Sequence, residues 1–383
     1  MELKVLNRNL ELIGIIDKFT SLMWTRSYFK SGRFQLVVPL ADDETINLLK
    51  RENILYKGSG DTEAGYIETI NISLNTNGEE IVTVNGKFIT SYLDRRIIWG
   101  NDNLNSSSEL AMRNLVNKNA ISCPSERIIP NLILGELKGY TERVNKSISY
   151  KNLIEAVEEI AETSQLGFRN NLDYINKKII FEVYKGVNRT VNQNTIAPCI
   201  FSRDFENILE QQYTDSSNNF RNVTLVAGAG EGVLRKKTSV GFASGLDRYE
   251  LFTDAKDISD KKIISTSTGE KDENGNTIYE DTEVQMNDVE YIPLLKQRGT
   301  EKLAECTEIK TFESKINTRG NNIYKIDYDL GDMVTIQDKR WGLQVDTRIT
   351  EIEEVYEGGK VEINPTFGNN IPTLIDKIKR MVR

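Results

Sequence analysis

The sequence predicts a β-rich α+β protein. Three patterns predict it: short runs of alternating apolar and polar residues through most of the chain, a few segments with helical spacing, and clusters of turn-forming residues between them. At 383 residues the chain is long enough for two or three cores. In the first hundred residues Phe34, Leu36 and Val38 alternate with Gln35 and Val37 before Pro39 closes a strand. Asp42 and Asp43 stand at helix-cap positions ahead of Ile46, Leu48 and Leu49. Strands follow at 54–57, 66–74 and 80–90, the last two joined by an Asn75-Thr76-Asn77-Gly78 turn. Ile70, Ile72 and Leu74 share one strand face and are expected to fill a core.

The polar stretch Asn101 to Ser108 marks a boundary. A helix starting near Ser107 places Leu110, Ala111, Leu115 and Val116 on one side, and 121–148 has too little periodicity to assign. A second helix, 150–163, aligns Leu153, Ile154, Val157, Ile160 and Ala161. Its outer carboxylates Glu155, Glu158, Glu159 and Glu162 read as a solvated face, not as an acid–base pair. Strands at 166–170 and 178–184 follow, and the β pattern resumes from Ile200.

Asn287 with Glu290 three residues on forms a capping box for a third helix, with Leu294, Leu295, Leu303 and Ala304 as its stripe, interrupted by Gly299. The segment from Ile323 to Gly368 reads as a meander: a strand through Tyr324, Ile326 and Tyr328, a Leu330-Gly331-Asp332 turn, Val334 and Ile336, then a long strand over 343–356. In that long strand Val345, Thr347, Ile349, Glu351 and Glu353 are expected on one face, with Val345 and Ile349 in a core. Glu357-Gly358-Gly359 turns back into Val361 and Ile363. After Pro372, 373–383 reads as a short basic amphipathic helix with Leu374, Ile375, Ile378 and Met381 on one side, suited to docking on protein.

Composition narrows the function. The formal net charge of −8 argues against nucleic-acid binding as a main task, since phosphate contacts need a concentrated basic surface. Histidine is absent, which removes Ser-His-Asp and Cys-His machinery and any His-ligated zinc site. Cys123, Cys199 and Cys306 form no close pair and read as buried free thiols. No signal peptide or membrane span is expected; apolar runs such as Leu12 to Ile16 are short.

Two motif-like segments fail on inspection. Gly228-Ala229-Gly230-Glu231-Gly232 resembles a dinucleotide-binding turn, but Val233 stands where glycine or alanine is needed, and VLRKKTSVGF predicts a strand instead of a helix. Asp272, Asn274, Asn276 and Glu283 fall at calcium-loop positions, but Thr277 occupies the glycine position, and Asn274-Gly275 makes a hairpin turn the better reading. No catalytic, cofactor or metal residue is therefore assigned. The carboxylate pairs Asp327 with Asp329 and Glu351 with Glu353 are the remaining candidates for glycosidic chemistry, and solvated strand edges explain them as well.

Eight segments, in order, resemble one family: FEVYKGVNRT (181–190), IFSRDFENI (200–208), NVTLVAGAGEG (222–232), RYELFTDAKDI (248–258), LLKQRGTEKLAE (294–305), YDLGD (328–332), RITEIEEVYEGG (348–359) and PTFG (365–368). They resemble the siphophage tail-hub proteins of the tail tip or baseplate. The resemblance is dense in the C-terminal half and loose in the N-terminal half. It implies two tube-like β-barrel or sandwich domains with flanking helices plus a smaller α/β insert domain. The expected domains are 1–103 (tube-like), 104–199 (α+β), 200–372 (tube-like, with an inserted hairpin and helix region at about 255–305) and 373–383 (C-terminal helix).

Residues 1 to about 100 are expected to superpose on a unit built from the 200s and 305–368, although no residue-level repeat is visible. The resemblance further implies a homotrimer in a virion tail tip, assembled in the host cytoplasm. Its partners would be a distal-tail ring, a tape-measure protein and tip or receptor-binding proteins. Neither enzymatic activity, a cofactor, specific nucleic-acid binding nor stable membrane insertion is expected. No appended hydrolase domain is expected after the family segments; a tail-associated cell-wall hydrolase or a host-binding adhesin is the alternative.

Overall fold

A computed structural model describes residues 1–39, 43–58, 62–74, 78, 80–271, 277–317 and 320–368. The turn residues 75–77, the calcium-loop residues Asp272, Asn274 and Asn276, and the 373–383 segment lie outside them. The chain divides into two compact units. One comprises 1–213 with 311–383, and the other comprises 214–310. The chain leaves the first along Ile208–Ser216 and returns along Ile309–Ile316.

The first unit is organised on a thirteen-stranded sheet. Seven N-terminal strands are β1 (Leu3–Leu6), β2 (Leu12–Ile16), β3 (Ser21–Ser27), β4 (Arg33–Pro39), β5 (Ile54–Tyr56), β6 (Ala64–Leu74) and β7 (Glu80–Phe88). From one end the sheet runs Ile208–Ser216, Ile309–Ile316, Lys360–Gly368, Leu343–Glu357, β3, β4, β7, β6, β5, β1, β2. The N-terminal strands and the C-terminal meander thus form one continuous sheet. They are joined by antiparallel pairing of Leu343–Glu357 with β3, Glu354 opposite Trp24. Off this path, Met333–Asp338 pairs antiparallel with Leu343–Glu357 and parallel with Ile200–Phe201.

The alternation read in the sequence is physical in β4, where Phe34, Leu36 and Val38 are buried against Trp24 and Phe88. It is overridden in β6. Ile70 is half-buried, but Ile72 and Leu74, beyond the reach of β5, are exposed although β7 pairs with the strand as far as Leu74.

Helices Ser108–Val116 and Leu153–Ser164 pack on each other within the same continuous core. The first is capped by the Ser107 hydroxyl, which accepts from Leu110 N–H. Its buried stripe is Ala111, Met112, Leu115 and Val116, with Leu110 outside it. Glu109 in its first turn is buried and accepts the backbone N–H groups of Lys138, Gly139 and Tyr140 at 2.7–3.0 Å, which ties residues 138–140 of the aperiodic stretch to the helix. The second helix starts three residues later than its periodicity suggests, at the Asn152 cap, because Tyr150 is left-handed.

Two expectations about the meander are corrected. Residues 323–328 are not a strand but turns with a single bridge, Tyr324 to Tyr328, stabilised by Asp327 accepting from Ile323 N–H. In Leu343–Glu357 a register shift between Ile349 and Glu351 switches the buried parity. Ile349 is buried as expected, but Ile352 and Glu354 follow it inward, while Glu351 and Glu353 are only half-buried and Val345 is exposed.

The second unit has a three-stranded sheet, Val223–Ala227 flanked by Lys237–Val240 (antiparallel) and Glu250–Asp254 (parallel). Helix Asp288–Ala304 lies over one face, and its Asn287–Glu290 capping box is formed. The packed stripe is Tyr291, Leu295 and Gly299, with Leu294 exposed. Gly299 sets the distance of closest approach: an added Cβ would fall 2.7 Å from Val226 and 2.9 Å from Val240. A two-stranded ribbon, Lys261–Lys271 with Thr277–Gln285, completes the unit, and Glu283 there pairs with Lys261.

Candidate functional site

Of the segments in the family resemblance, FEVYKGVNRT, YDLGD and RITEIEEVYEGG meet in the first unit around two buried side chains, Tyr28 and Glu354, whereas 222–232, 248–258 and 294–305 lie in the second unit. Tyr28 directly follows β3 and is fully buried. Gly167 and Gly331 lie flat against its ring; a Cβ on either would come within 2.4 Å of it. Gly186 presses on the Gly331 carbonyl, where an added Cβ would stand 1.9 Å away. This explains the glycines of YKG (184–186) and LGD (330–332) as close-packing positions. Gly331 additionally needs its φ of 92°.

Asp332, next in LGD, accepts from Val187 N–H (2.7 Å), Arg189 Nε (2.9 Å) and Asp329 N–H (3.0 Å). Burial dominates its titration and holds its pKa above the ordinary aspartate value despite those bonds. In SRDFEN, Arg203 forms a two-point bond to Asp338, and Asn207 ties Ser202 N–H to the Ile200 carbonyl. These segments are joints between strands distant in sequence.

The second focus is ionic. Arg26 on β3 donates Nε to Glu63 (2.6 Å) and Nη1 to Asp329 (2.6 Å) and to the Tyr324 hydroxyl (2.9 Å). Tyr324 donates to Glu354 at 2.9 Å, and Tyr356 donates to the other Glu354 oxygen at 2.5 Å. Lys57 completes a buried ion pair with Glu354, the two side chains being 2% and 1% exposed, and Lys325 stands 3.9 Å from the same carboxylate. The Lys57 ammonium also lies over the Trp24 and Tyr356 rings. An open cleft of ≈ 420 Å³ reaches this point, lined by Met1, Glu2, Lys4, Lys57, Gly58, Lys325 and Tyr356.

Burial works to raise the pKa of Glu354. The charges of Lys57 and Lys325 and the bonds from Lys57 and Tyr356 outweigh it, so the carboxylate titrates below the ordinary glutamate value. Burial holds the Tyr324 phenol well above its usual range. At neutral pH Glu354 therefore has no proton to give and Tyr324 does not lose one. The arrangement acts as a clamp joining β3, Lys57, Glu63, the 324–329 turns and the Leu343–Glu357 strand.

The sequence candidates are dispersed. Asp329 is bonded to Arg26 and Leu330 N–H, and Asp327 caps a turn. Glu351 reaches Arg33 at 3.4 Å, and Glu353 accepts from Asn364 at 3.5 Å. The glycine-rich 228–232 stretch ends one strand and leads through a short turn into the next, with Ala229 N–H bound to the Tyr291 hydroxyl. Cys199 is buried, its thiol pushed up to about 12 by desolvation, whereas Cys123 and Cys306 are half-buried. Among the described residues no cluster of three or more Cys, Asp or Glu is placed to hold a metal. Sequence reasoning missed Arg26, although Leu22, Trp24 and Arg26 share strand parity, which signals that Arg26 faces inward. No comparable signal marks Lys57 or Glu354.

Residues 2–369 match the family described as siphovirus ReqiPepy6 Gp37-like protein. The chain belongs to this family. The Gp37-like chain is thereby a siphovirus-type phage tail protein, in agreement with the resemblance of its segments. No curated protein matches its sequence.

Two solved structures share the fold. The tail protein from Neisseria meningitidis MC58 is 12% identical with a TM-score of 0.55, covering 96% of each chain. The 43 kDa tail protein of prophage MuSo2 from Shewanella oneidensis is also 12% identical at 0.55, covering 96% of this chain and 98% of that one. At that identity the likeness is one of fold.

Proposed function

We propose that this Gp37-like protein is a structural hub at the distal end of a phage tail. In this reading three copies form a ring that continues or closes the tail tube and carries the tip proteins. One observation supports the reading most. The N-terminal strands and the C-terminal meander, separated by more than two hundred residues, are fused into one sheet through β3 and Leu343–Glu357 and locked by the Lys57–Glu354 clamp. On this reading the sheet serves as a wall segment, and the 1–103 and 200–372 regions, which share this one sheet instead of standing as separate barrels, would each supply one of the two contributions by which three chains meet a six-fold ring. The partners on this reading are a distal-tail ring, a tape-measure protein and tip or receptor-binding proteins. The negative net charge would keep passing DNA from adhering.

Light scattering on the purified chain, alone and beside a distal-tail partner, tests this. A trimer is expected, and a dimer or tetramer as the sole species overturns the hub reading. The role is structural, so zymograms on cell walls should show no lysis with or without calcium or zinc. Lysis abolished by Glu351→Gln or Asp327→Asn would replace it with a hydrolase.

A further inference from the structure

In the first unit a short helix, Ile89–Arg95, and a single helical turn, Ser125–Arg127, bring two guanidinium groups together. Arg96 follows the helix and donates Nε to the Arg127 carbonyl (2.5 Å), Nη1 to the Arg95 carbonyl (2.8 Å) and Nη2 to the Ile128 carbonyl (3.3 Å). Arg127, only 8% exposed, donates Nη2 to the Ile97 carbonyl (2.6 Å), and its guanidinium lies 4.0 Å from the centre of the Trp99 ring. All the oxygens accepting these bonds are backbone carbonyls, which carry no net charge to offset a cation. Among the described residues neither arginine forms an ion pair. The carboxylates of the same segments are engaged elsewhere: Asp94 accepts from Asn152 (2.9 Å), and exposed Glu126 accepts from Ser125 (3.4 Å). Arg26, Arg169 and Arg189 by contrast each leave solvent beside a carboxylate, that of Glu63, Glu182 and Asp332 respectively.

The two cations also repel each other. Burial, followed by the charges of Arg127 and Arg95, holds the Arg96 pKa below the ordinary arginine value; the Cys123 thiol acts the other way. The backbone nevertheless fixes them in place, Arg127 N–H bonding the Pro124 carbonyl and Ile98 N–H the Lys151 carbonyl, with the Ile98 side chain fully buried. Around the pair, Trp99, Ile97 and Ile128 are 53%, 45% and 40% exposed. We propose that Arg96 and Arg127 form an anion-binding site for the carboxylate side chains of an acidic segment of a partner protein, whose apolar side chains rest on Trp99, Ile97 and Ile128.

The occupant follows from charge and from what surrounds it. A planar guanidinium fork matches a carboxylate, and an incoming anion relieves the repulsion between the two cations besides adding its own bonds. The donors are already positioned, so little ordering is required on binding. Trp99, Ile97 and Ile128 offer apolar area that a polypeptide covers and a bare phosphate does not. The net charge of −8 opposes the approach of a nucleic-acid backbone. The site lies within one chain, so it stands whether or not the copies form a ring.

The test is calorimetry on the full-length chain at low salt with an acetylated, amidated Glu-Leu-Asp-Glu-Leu-Asp peptide. Binding is expected, weakened on the order of tenfold by Arg96→Gln and by Arg127→Gln. Lys18→Gln, which removes an equal charge from an exposed position, should leave it unchanged. No binding, or a loss matched by Lys18→Gln, overturns the site. Equal binding of a Gln-Leu-Asn-Gln-Leu-Asn peptide overturns recognition of an anion. Inorganic phosphate or a single-stranded oligothymidylate that binds more tightly through the same arginines overturns the acidic-segment assignment. A second measurement leaves both arginines intact: hydrogen exchange of the wild type with the acidic peptide bound should slow amides within 95–99 and 124–128. Slowing confined to other segments overturns the placement.

Discussion

Replacing Glu354 by Gln keeps the size and shape of the side chain and removes one charge. In the native fold that carboxylate neutralises Lys57, is approached by Lys325, and accepts the hydroxyls of Tyr324 and Tyr356. An amide oxygen can still accept a hydroxyl, so the loss is mainly ionic. Removing one partner of an ion pair that is 1–2% exposed leaves a desolvated charge, and such changes cost about 3–5 kcal/mol. For a unit of this size that corresponds to a fall in thermal midpoint on the order of 5–10 °C.

The sign with pH follows from the titration of Glu354. Its folded-state pKa is depressed below 4.5, so its contribution is fully present above pH 4.5 and is lost as pH falls through the folded value. The gap between wild type and Glu354→Gln, measured by urea titration between pH 3 and 8, should be wide and flat above about pH 5 and close below it. A Lys57→Met/Glu354→Leu double replacement should recover part of the loss, since it deletes both buried charges. A gap under about 0.5 kcal/mol at pH 7, or one that does not narrow in acid, would show that the clamp does not stabilise the fold.

Two further changes probe the joints. Ile349→Asp places a carboxylate in the core beside Phe367 and Ile352 and should cost about 3–5 kcal/mol, seen as insoluble protein or a collapsed thermal midpoint; a soluble variant with a wild-type melt would contradict the packing. Gly186→Ala drives a methyl group to within 1.9 Å of the Gly331 carbonyl, a backbone atom that cannot swing aside, and should lose about 3 kcal/mol in denaturant titration. Gly358→Ala, at a turn where nothing lies within 4 Å, is the comparison that isolates backbone strain from crowding.

What the sequence by itself determined is local. Alternation placed β4, turn chemistry joined β6 to β7, and Asn287 with Glu290 started a helix, because these signals act between residues a few positions apart. The ordered family segments identified a tail protein without any tertiary information. Only the tertiary structure decided which strands are neighbours, and hence which residues of those segments are joints. The Gly186 and Gly331 backbones touch across 145 positions, and a buried Glu354 meets a Lys57 that is 297 positions away. Parity failed in Leu343–Glu357 because an irregularity after Ile349 turned Ile352 and Glu354 inward in place of Glu351 and Glu353. It failed in β6 because Ile72 and Leu74 form a core face in pattern but are exposed, with no covering layer among the described residues. Periodicity reports which side of a strand is apolar; what lies against that side is set by long-range pairing, which local spacing does not encode.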